Sequence, residues 1–241
     1  LKDVFSALVT GKNQLPSLVD IGKFATIDYS KYPDLAKMTE NTEFAWCTEI
    51  PDIHKEKDFE YKLDLQYVRC VWAAIQKLPK SERSPVENFI KQSLSQRNVA
   101  WVVRLKLYYK YTNEQIKKRL LSISENPTEN DPIAGDAIKV LDLPVDSWAD
   151  WKQSVYSDCL NPYLGSDDWT VDPRWLQQAM SKKNNALALK TFRQYPFTAN
   201  VLVTWFKMKQ FELDCIRTAA EGLRLNVSSS EIKKIAGFEQ L

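Results

Sequence analysis

One histidine, four cysteines and two helically spaced carboxylate pairs are the side chains from which this sequence could build a reaction. His54 lies in PDIHKEKD, a charged, loop-like stretch. A nucleophile needs a base beside it, and nothing around this histidine supplies that pairing, so it reads as a solvated surface side chain. Cys47, Cys70, Cys159 and Cys215 are widely spaced and form no CxxC. With a single histidine, a Cys/His metal site lacks ligands, and the cysteines read as free, buried thiols of a reducing compartment. Glu56/Glu60 and Glu60/Asp64 are four residues apart, but no ExxH accompanies them, so they read as a solvated helix face. Neither GxxxxGK[ST] nor GxGxxG occurs, so no phosphate-cradling loop is visible. The expectation is a protein with no catalytic residue, no cofactor and no metal ion.

Charge and composition narrow the partners. Lys and Arg number 33 and Asp and Glu 31, a net charge of +2. A nucleic-acid binder carries a marked basic surplus to displace counterions, and this chain has none. Trp101, Tyr108, Tyr109 and Tyr111 do lie among Arg97, Arg104, Lys106 and Lys110, a mix able to stack single-stranded bases. They read instead as core aromatics beside a snorkelling basic rim. The longest apolar run, Cys70 to Ile75, is six residues, too short to span a bilayer. No secretory leader pattern opens the chain. It starts at Leu1 rather than Met, which leaves room for an upstream segment.

The elements that would position any site are helices. Only six glycines occur in 241 residues, against the many that the turns of an all-β fold need. A helical period runs through 58–77 and is stopped by Pro79. Ser84-Pro85-Val86-Glu87 reads as a capping box with proline at the first helical position, opening a helix over 84–109. The polar, proline-bearing ENPTENDP stretch, 125–132, is the best linker candidate. Shorter helices follow near 133–141, 146–156 and 173–182, the last capped by Asp172 with Pro173. A long helix over 198–223 is apolar almost all round, apart from a narrow stripe at Thr204, Lys207, Gln210, Asp214, Thr218 and Glu221. That pattern predicts burial, against neighbours or a partner. Short helices are expected near 2–9, 14–22 and 31–40.

One local pattern is written twice, 116 positions apart: YTNEQIKK at 111–118 and VSSSEIKK at 227–234. Thr112 with Gln115, and Ser228 with Glu231, are capping boxes. Tyr111 with Ile116, and Val227 with Ile232, are hydrophobic staples. Each pattern encodes a corner between a long helix and a short one. The same offset lays 84–109 over 198–223 and sets Asn98 on Asp214. Both are polar residues inside apolar helices, suited to packing specificity or to a partner contact.

These motifs resemble the C-type subunits of V-type and A-type ATPases, a family whose eukaryotic members are called d-type. Gln96-Arg97-Asn98-Val99-Ala100-Trp101-Val102-Val103-Arg104 is similar to a signature of an inner module. Lys209 to Arg217, KQFELDCIR, followed by Ala220-Glu221-Gly222-Leu223, is similar to one near the C-terminus. VSSSEIKKIAG matches the start of the family's closing helix. The resemblance covers 85–120 and 197–237 well, and 51–84 more loosely; the chain is shorter than typical members. It implies an all-α fold of repeated helical modules with a funnel-like or elongated architecture: a partial or divergent first module over 1–50, a middle module over 51–125 and a C-terminal module over 126–241. It also implies a non-catalytic central-stalk component, a socket between the rotor shaft subunits and the membrane proteolipid ring, coupling H+ or Na+ transport to ATP hydrolysis or synthesis. Such a component would be peripheral, on the cytoplasmic face of the membrane, which it touches only through the complex. Arg97, Arg104, Arg217 and Arg224 are candidates for the partner interface; Ser84, Thr112, Gln115, Ser228 and Glu231 are structural caps. The alternatives are a helical nucleic-acid-binding or scaffold protein using the basic-aromatic face at 97–110, and a helical enzyme using carboxylates as acid and base.

Overall fold

The structure, a computed structural model, describes residues 1–50, 56–165 and 168–236. Among the described residues it is all-helical: ten α-helices, three short 3-10 turns and no strand. Two compact units divide the chain, Leu1–Tyr67 and Val68–Leu241.

In the first unit, α1 (Lys2–Val9) forms where expected. The expected helix over 14–22 is absent. Leu15 precedes a proline, which disfavours helical backbone. Asp20 then accepts from the Gly22 amide at 2.8 Å, a side-chain turn that competes with a helix. The helix expected over 31–40 shrinks to α2 (Leu35–Thr39). Pro33 breaks the run, and Asp34 restarts it by accepting from the Lys37 amide at 3.1 Å. Val4, Phe5 and Leu8 pack with Leu35, Met38, Cys47 and Leu63, the last on α3 (Glu56–Gln76).

In the second unit, α4 (Lys80–Tyr109) is the central rod, 30 residues and ~45 Å long. It starts one turn before the expected Ser84 cap. Pro79 takes the cap position, and its carbonyl accepts from the Glu82 and Arg83 amides. Ser84 is therefore an interior helix residue, where its hydroxyl meets Asn88 at 3.5 Å. Pro85 lies inside α4, as its sixth residue, and supplies no amide to the helical ladder. The start of α4 is instead held by side-chain bonds back across the preceding turn. Arg83 donates to the carbonyl of Gln76, the last residue of α3, and to that of Leu78 just beyond it, satisfying an acceptor that a helix terminus leaves orphaned.

After α5 (Asn113–Lys117), the chain returns along α4. Asn98, in mid-rod and 1% exposed, reads that return. Its amide nitrogen donates to the Leu121 carbonyl at 2.7 Å and the Ile133 carbonyl at 3.1 Å, and its oxygen accepts from the Leu121 amide at 3.0 Å. Asp131 takes four backbone amides. One oxygen accepts from Ile123 and Ser124, the other from Ile133 and Ala134, at 2.9–3.1 Å. Arg69, on α3, donates to the Ser122 and Ser124 carbonyls. The stretch expected to be a linker is thus a fastened turn. One core runs past it, from Val99, Val102 and Val103 through Ile116 and Leu120 to Trp151, Leu176 and Met180.

Of the shorter helices, α6 is Gly135–Lys139, α7 is Trp148–Lys152 and α8 is Pro173–Gln194. Asp172 caps α8 as expected, accepting from the Arg174 amide at 2.8 Å, but the helix runs well past 182. Asn184-Asn185 and the segment ALALK at 186–190 lie inside it because Leu187 and Ala188 pack on Val86, Phe89 and Ile90 of α4; tertiary burial overrides weak local propensity. α9 (Ala199–Arg224) and α10 (Ser229–Ala236) close the chain.

The clamp around Leu121 should be costly to break. Asn98→Ala orphans three buried backbone groups and should destabilise the protein by about 3 kcal/mol in chemical denaturation. Burial pushes the Asp131 carboxyl up, but the amides of Ala134, Ser124 and Ile133 outweigh it and hold the carboxyl below its usual range. A depressed folded value means the stabilisation is complete above the ordinary carboxyl value, about 3.9, and is lost as pH falls through the lower folded one. Stability measured against pH should therefore drop below about pH 4, and Asp131→Asn should flatten that drop.

Candidate functional site

The two expected corners are present, and each turns on one residue of positive φ. At the first, α4 ends with Lys110 in the left-handed region, φ 53°; at the second, α9 is followed by Asn226, φ 56°. These positions are 116 apart, the repeat offset. Tyr111 then donates to the Leu105 carbonyl, and Val227 to that of Gly222; both bonds reach back across the last turn and close it. The first corner carries the complete capping box: Gln115 donates its backbone amide to Thr112 Oγ1, and its Oε1 accepts from the Thr112 amide. At the second, Ser228 Oγ accepts from the Glu231 amide at 3.3 Å. Ile116 and Ile232 are both buried, as a staple requires. Ile232 presses on Gly222, where a Cβ would lie 2.6 Å from Ile232 Cγ1. Gly222 is thus the one small residue that lets the second corner close.

The corners differ in what covers them. Asn98 is buried and fastened, while Asp214, its counterpart at the same offset, is exposed and pairs with Arg217 at 3.7 Å. α9 was expected to be largely buried. Its inner face does pack: Ala199, Val203 and Met208 against the cluster of α4 and α8, and Cys215 against α10, where its thiol meets the Ala236 carbonyl. Its outer face is bare. Leu202, Ile216 and Leu223 are 73%, 59% and 66% exposed, with Trp205, Phe206 and Leu213 beside them. The narrow polar stripe read from the sequence marks solvent only in its later part: Thr204 is fully buried and Lys207 half-buried, while Gln210, Asp214 and Glu221 are exposed. Burial, then the nearby Arg97 guanidinium, pulls the Lys207 amine below its usual range.

The four candidate arginines form no single cluster of equivalents. Arg97 is exposed on α4, near Lys207, and Arg104 is half-buried. Arg217 and Arg224 lie exposed two turns apart on α9. Arg224 is held bidentately by Glu221, at 2.6 and 2.9 Å. The repeat offset sets Arg97 on Leu213 and Arg104 on Ala220, so the two pairs are not repeat equivalents. Of the aromatics around them, Trp101, Tyr108 and Tyr109 are exposed, whereas Tyr111 packs against the core and Arg119 stacks over it, 5.2 Å from its centroid. Lys106 is turned inward, onto the Leu141 and Leu143 carbonyls.

Sequence patterning missed Glu82. Its carboxylate accepts from the Ala199 amide at 2.8 Å and so caps α9 from another helix. Thr198, at the cap position, directs its hydroxyl to the Tyr195 carbonyl instead. A contact 117 residues away leaves no local signal.

Among the described residues, no group of three His, Cys, Asp or Glu side chains could hold a metal. His54 and the side chain of Glu56 lie outside the described residues. Asp64 is bonded to Lys2 at 2.8 Å. All four cysteines are free; Cys70 is exposed and the other three are buried. Burial pushes the Cys47 thiol up to about 11, away from reactivity. No helix among the described residues is long and apolar enough to cross a membrane.

Fold and surface together define an all-α protein whose notable side chains fasten helices or face outward from them. The chain belongs to the ATP synthase (C/AC39) subunit family, whose model matches residues 1–235, the same V/A-type ATPase family that the two motifs resemble. It is similar to an uncharacterized protein of Treponema pallidum (strain Nichols), 24% identical over 209 residues. That match takes in 84% of this chain and 59% of the relative, so the chain spans well under two thirds of the relative's length. No solved structure matches.

The caps give a graded prediction. Thr112→Ala and Glu82→Ala should each cost about 1 kcal/mol in thermal or chemical denaturation, while Ser84→Ala, which removes no cap, should fall within about 0.5 kcal/mol of zero.

Proposed function

We propose that this chain is a non-catalytic central-stalk component of a V/A-type rotary ATPase, a socket that seats the rotor shaft on the membrane proteolipid ring. In this role it transmits torque between ion flow and ATP hydrolysis or synthesis from a peripheral position on the cytoplasmic face. The three-module organisation, over 1–50, 51–125 and 126–241, belongs to the same proposal.

The observation that carries the reading is the family match across nearly the whole chain. The geometry supports it. A torque-bearing spacer must not bend under load, and two rods of 30 and 26 residues end in corners that each turn on a positive-φ residue. Each corner is locked by side-chain caps and a buried isoleucine. Helices fixed at their ends and packed along their length have few soft dihedrals left. Arg97, Arg104, Arg217 and Arg224 are proposed as interface residues toward acidic partner surfaces.

The purified chain is expected to show no ATPase activity, and to co-purify with the shaft subunits or the proteolipid ring when all are expressed together. ATP turnover by the chain alone, or an isolated chain that binds neither partner, would contradict the assignment.

A further inference from the structure

One end of the second unit gathers two interhelical turns, α3 to α4 and α8 to α9. Glu82 joins them: its carboxylate, just inside α4, caps α9 at Ala199. Ile75 and Leu78 at the first turn pack in one cluster with Ala199 and Val203 at the second. The segments that meet there, 73–88 and 188–204, carry five lysines and arginines against two carboxylates. Both carboxylates are engaged, Glu82 with the Ala199 amide at 2.8 Å and Glu87 with the Gln76 side chain at 3.4 Å. Of the basic residues, Arg83 is turned onto backbone carbonyls. Lys77, Lys80, Lys190 and Arg193 are exposed, and none of the four has an ion pair among the described residues.

The turn between α8 and α9 puts Phe197 near its apex. This side chain is 101% exposed, and its backbone sits at φ 63°, a region that a bulky residue rarely takes. Leu202, in the first turn of α9, is exposed as well. The fold thus holds an aromatic ring fully in water at a backbone cost, with unpaired cations on both turns. We propose that this end of the unit docks directly on a membrane surface rich in anionic lipid headgroups. Phe197 enters the layer between headgroups and acyl chains, and Lys77, Lys80, Lys190 and Arg193 meet lipid phosphates. The inference goes beyond the socket reading, in which the chain meets the membrane only through the complex, and does not depend on it.

Charge and form together select this occupant. Four cations without counter-charges call for an anionic surface opposite. A projecting ring flanked by lysine and arginine matches a layered medium, phosphate outside and hydrocarbon beneath, and needs no fixed partner geometry. An acidic protein would have to supply a pocket for the ring with carboxylates spaced around its rim. One ring offers no ladder of faces on which successive bases of a nucleic acid could stack. An isologous second copy would set these cations against themselves, because the carboxylates of this end are already held by Ala199 and Gln76.

The test uses the full chain and extruded vesicles, one set of phosphatidylcholine alone and one with about 30% phosphatidylglycerol. Co-sedimentation should show at least about tenfold tighter binding to the anionic set at low salt, falling as salt rises. Phe197→Asn removes the ring and leaves a residue that tolerates positive φ; it should weaken vesicle binding about fivefold. Lys190→Gln combined with Arg193→Gln should weaken it about tenfold or more, at about fivefold per charge removed. Lys117→Gln combined with Lys118→Gln, beyond the far end of the 30-residue α4 rod, should change it by less than about twofold, because salt screens charges held away from the bilayer. Circular dichroism checks that each variant stays helical. Poly-L-glutamate and a single-stranded oligonucleotide are titrated beside the vesicles. Vesicle binding reduced by the Phe197 and the Lys190/Arg193 substitutions, and kept by the Lys117/Lys118 pair, supports the proposal. No preference for the anionic vesicles, equal losses in all three variants, or tighter binding to poly-glutamate or the oligonucleotide than to vesicles overturns it. Dimerisation in sedimentation velocity that the Lys190/Arg193 pair abolishes overturns it too. The socket reading stands or falls separately, by co-purification with the shaft or ring subunits.

Discussion

An amide side chain with three backbone partners, sealed from water, sets the geometry of the second unit. Asn98 sits in the middle of α4 and fixes where the chain returns after the first corner. Asp131 holds the two sides of that return together, and Arg69 ties it to α3. The energetics are asymmetric. A satisfied buried hydrogen bond adds only about 1 kcal/mol net, but an orphaned buried group costs more, so a network of this kind tends to be either complete or broken. That favours a single arrangement over a range of them. The apolar core from Val99 to Met180 is assembled on this frame.

The two halves of the repeat share a corner and differ in their cover. Around the first, α6 and the residues beyond it bury one side of α4, and the clamp on Asn98 is part of that cover. Around the second, α10 covers one side of α9 and the outer side stays open. The offset that sets Asn98 on Asp214 sets a fastened amide on an exposed carboxylate. The same backbone device has thus been used once to build an interior and once to present a surface. A rod supported at its base by Glu82 and at its far end by Ile232 against Gly222 can present an apolar face without help from its outer side.

How much of this was legible depends on the range of the interaction. Thr112, Gln115, Ser228 and Glu231 announce themselves, because a capping box is a three-residue event. Ser84 offered the same spelling and misled, because Pro79 had already opened the helix and Arg83 had tied it to α3. The far half of α8 was hidden by Asn184-Asn185, whose weak helical preference is overridden by packing on α4. Asn98 stood out as a polar residue in an apolar run, but its partners, 23 and 35 residues away, could not be named. Asp131 was lost in a polar, proline-bearing stretch that resembles a linker until its four amides are seen. For α9 the composition was read correctly, and within this chain its outer face stays exposed at Leu202, Ile216 and Leu223; apolar composition does not tell whether a neighbour or a partner covers a helix.

The first corner is a rigid joint, held by the clamp and opening only when the whole unit unfolds. Native-state hydrogen exchange tests this most directly, at the Leu121, Ile133 and Ala134 amides. With a rigid joint, these amides exchange with the free energy of global unfolding, as the slowest class in the unit. If they exchange through a smaller, local opening, at rates like those of the exposed Lys110–Asn113 loop, the joint is soft and the chain cannot serve as a stiff coupler.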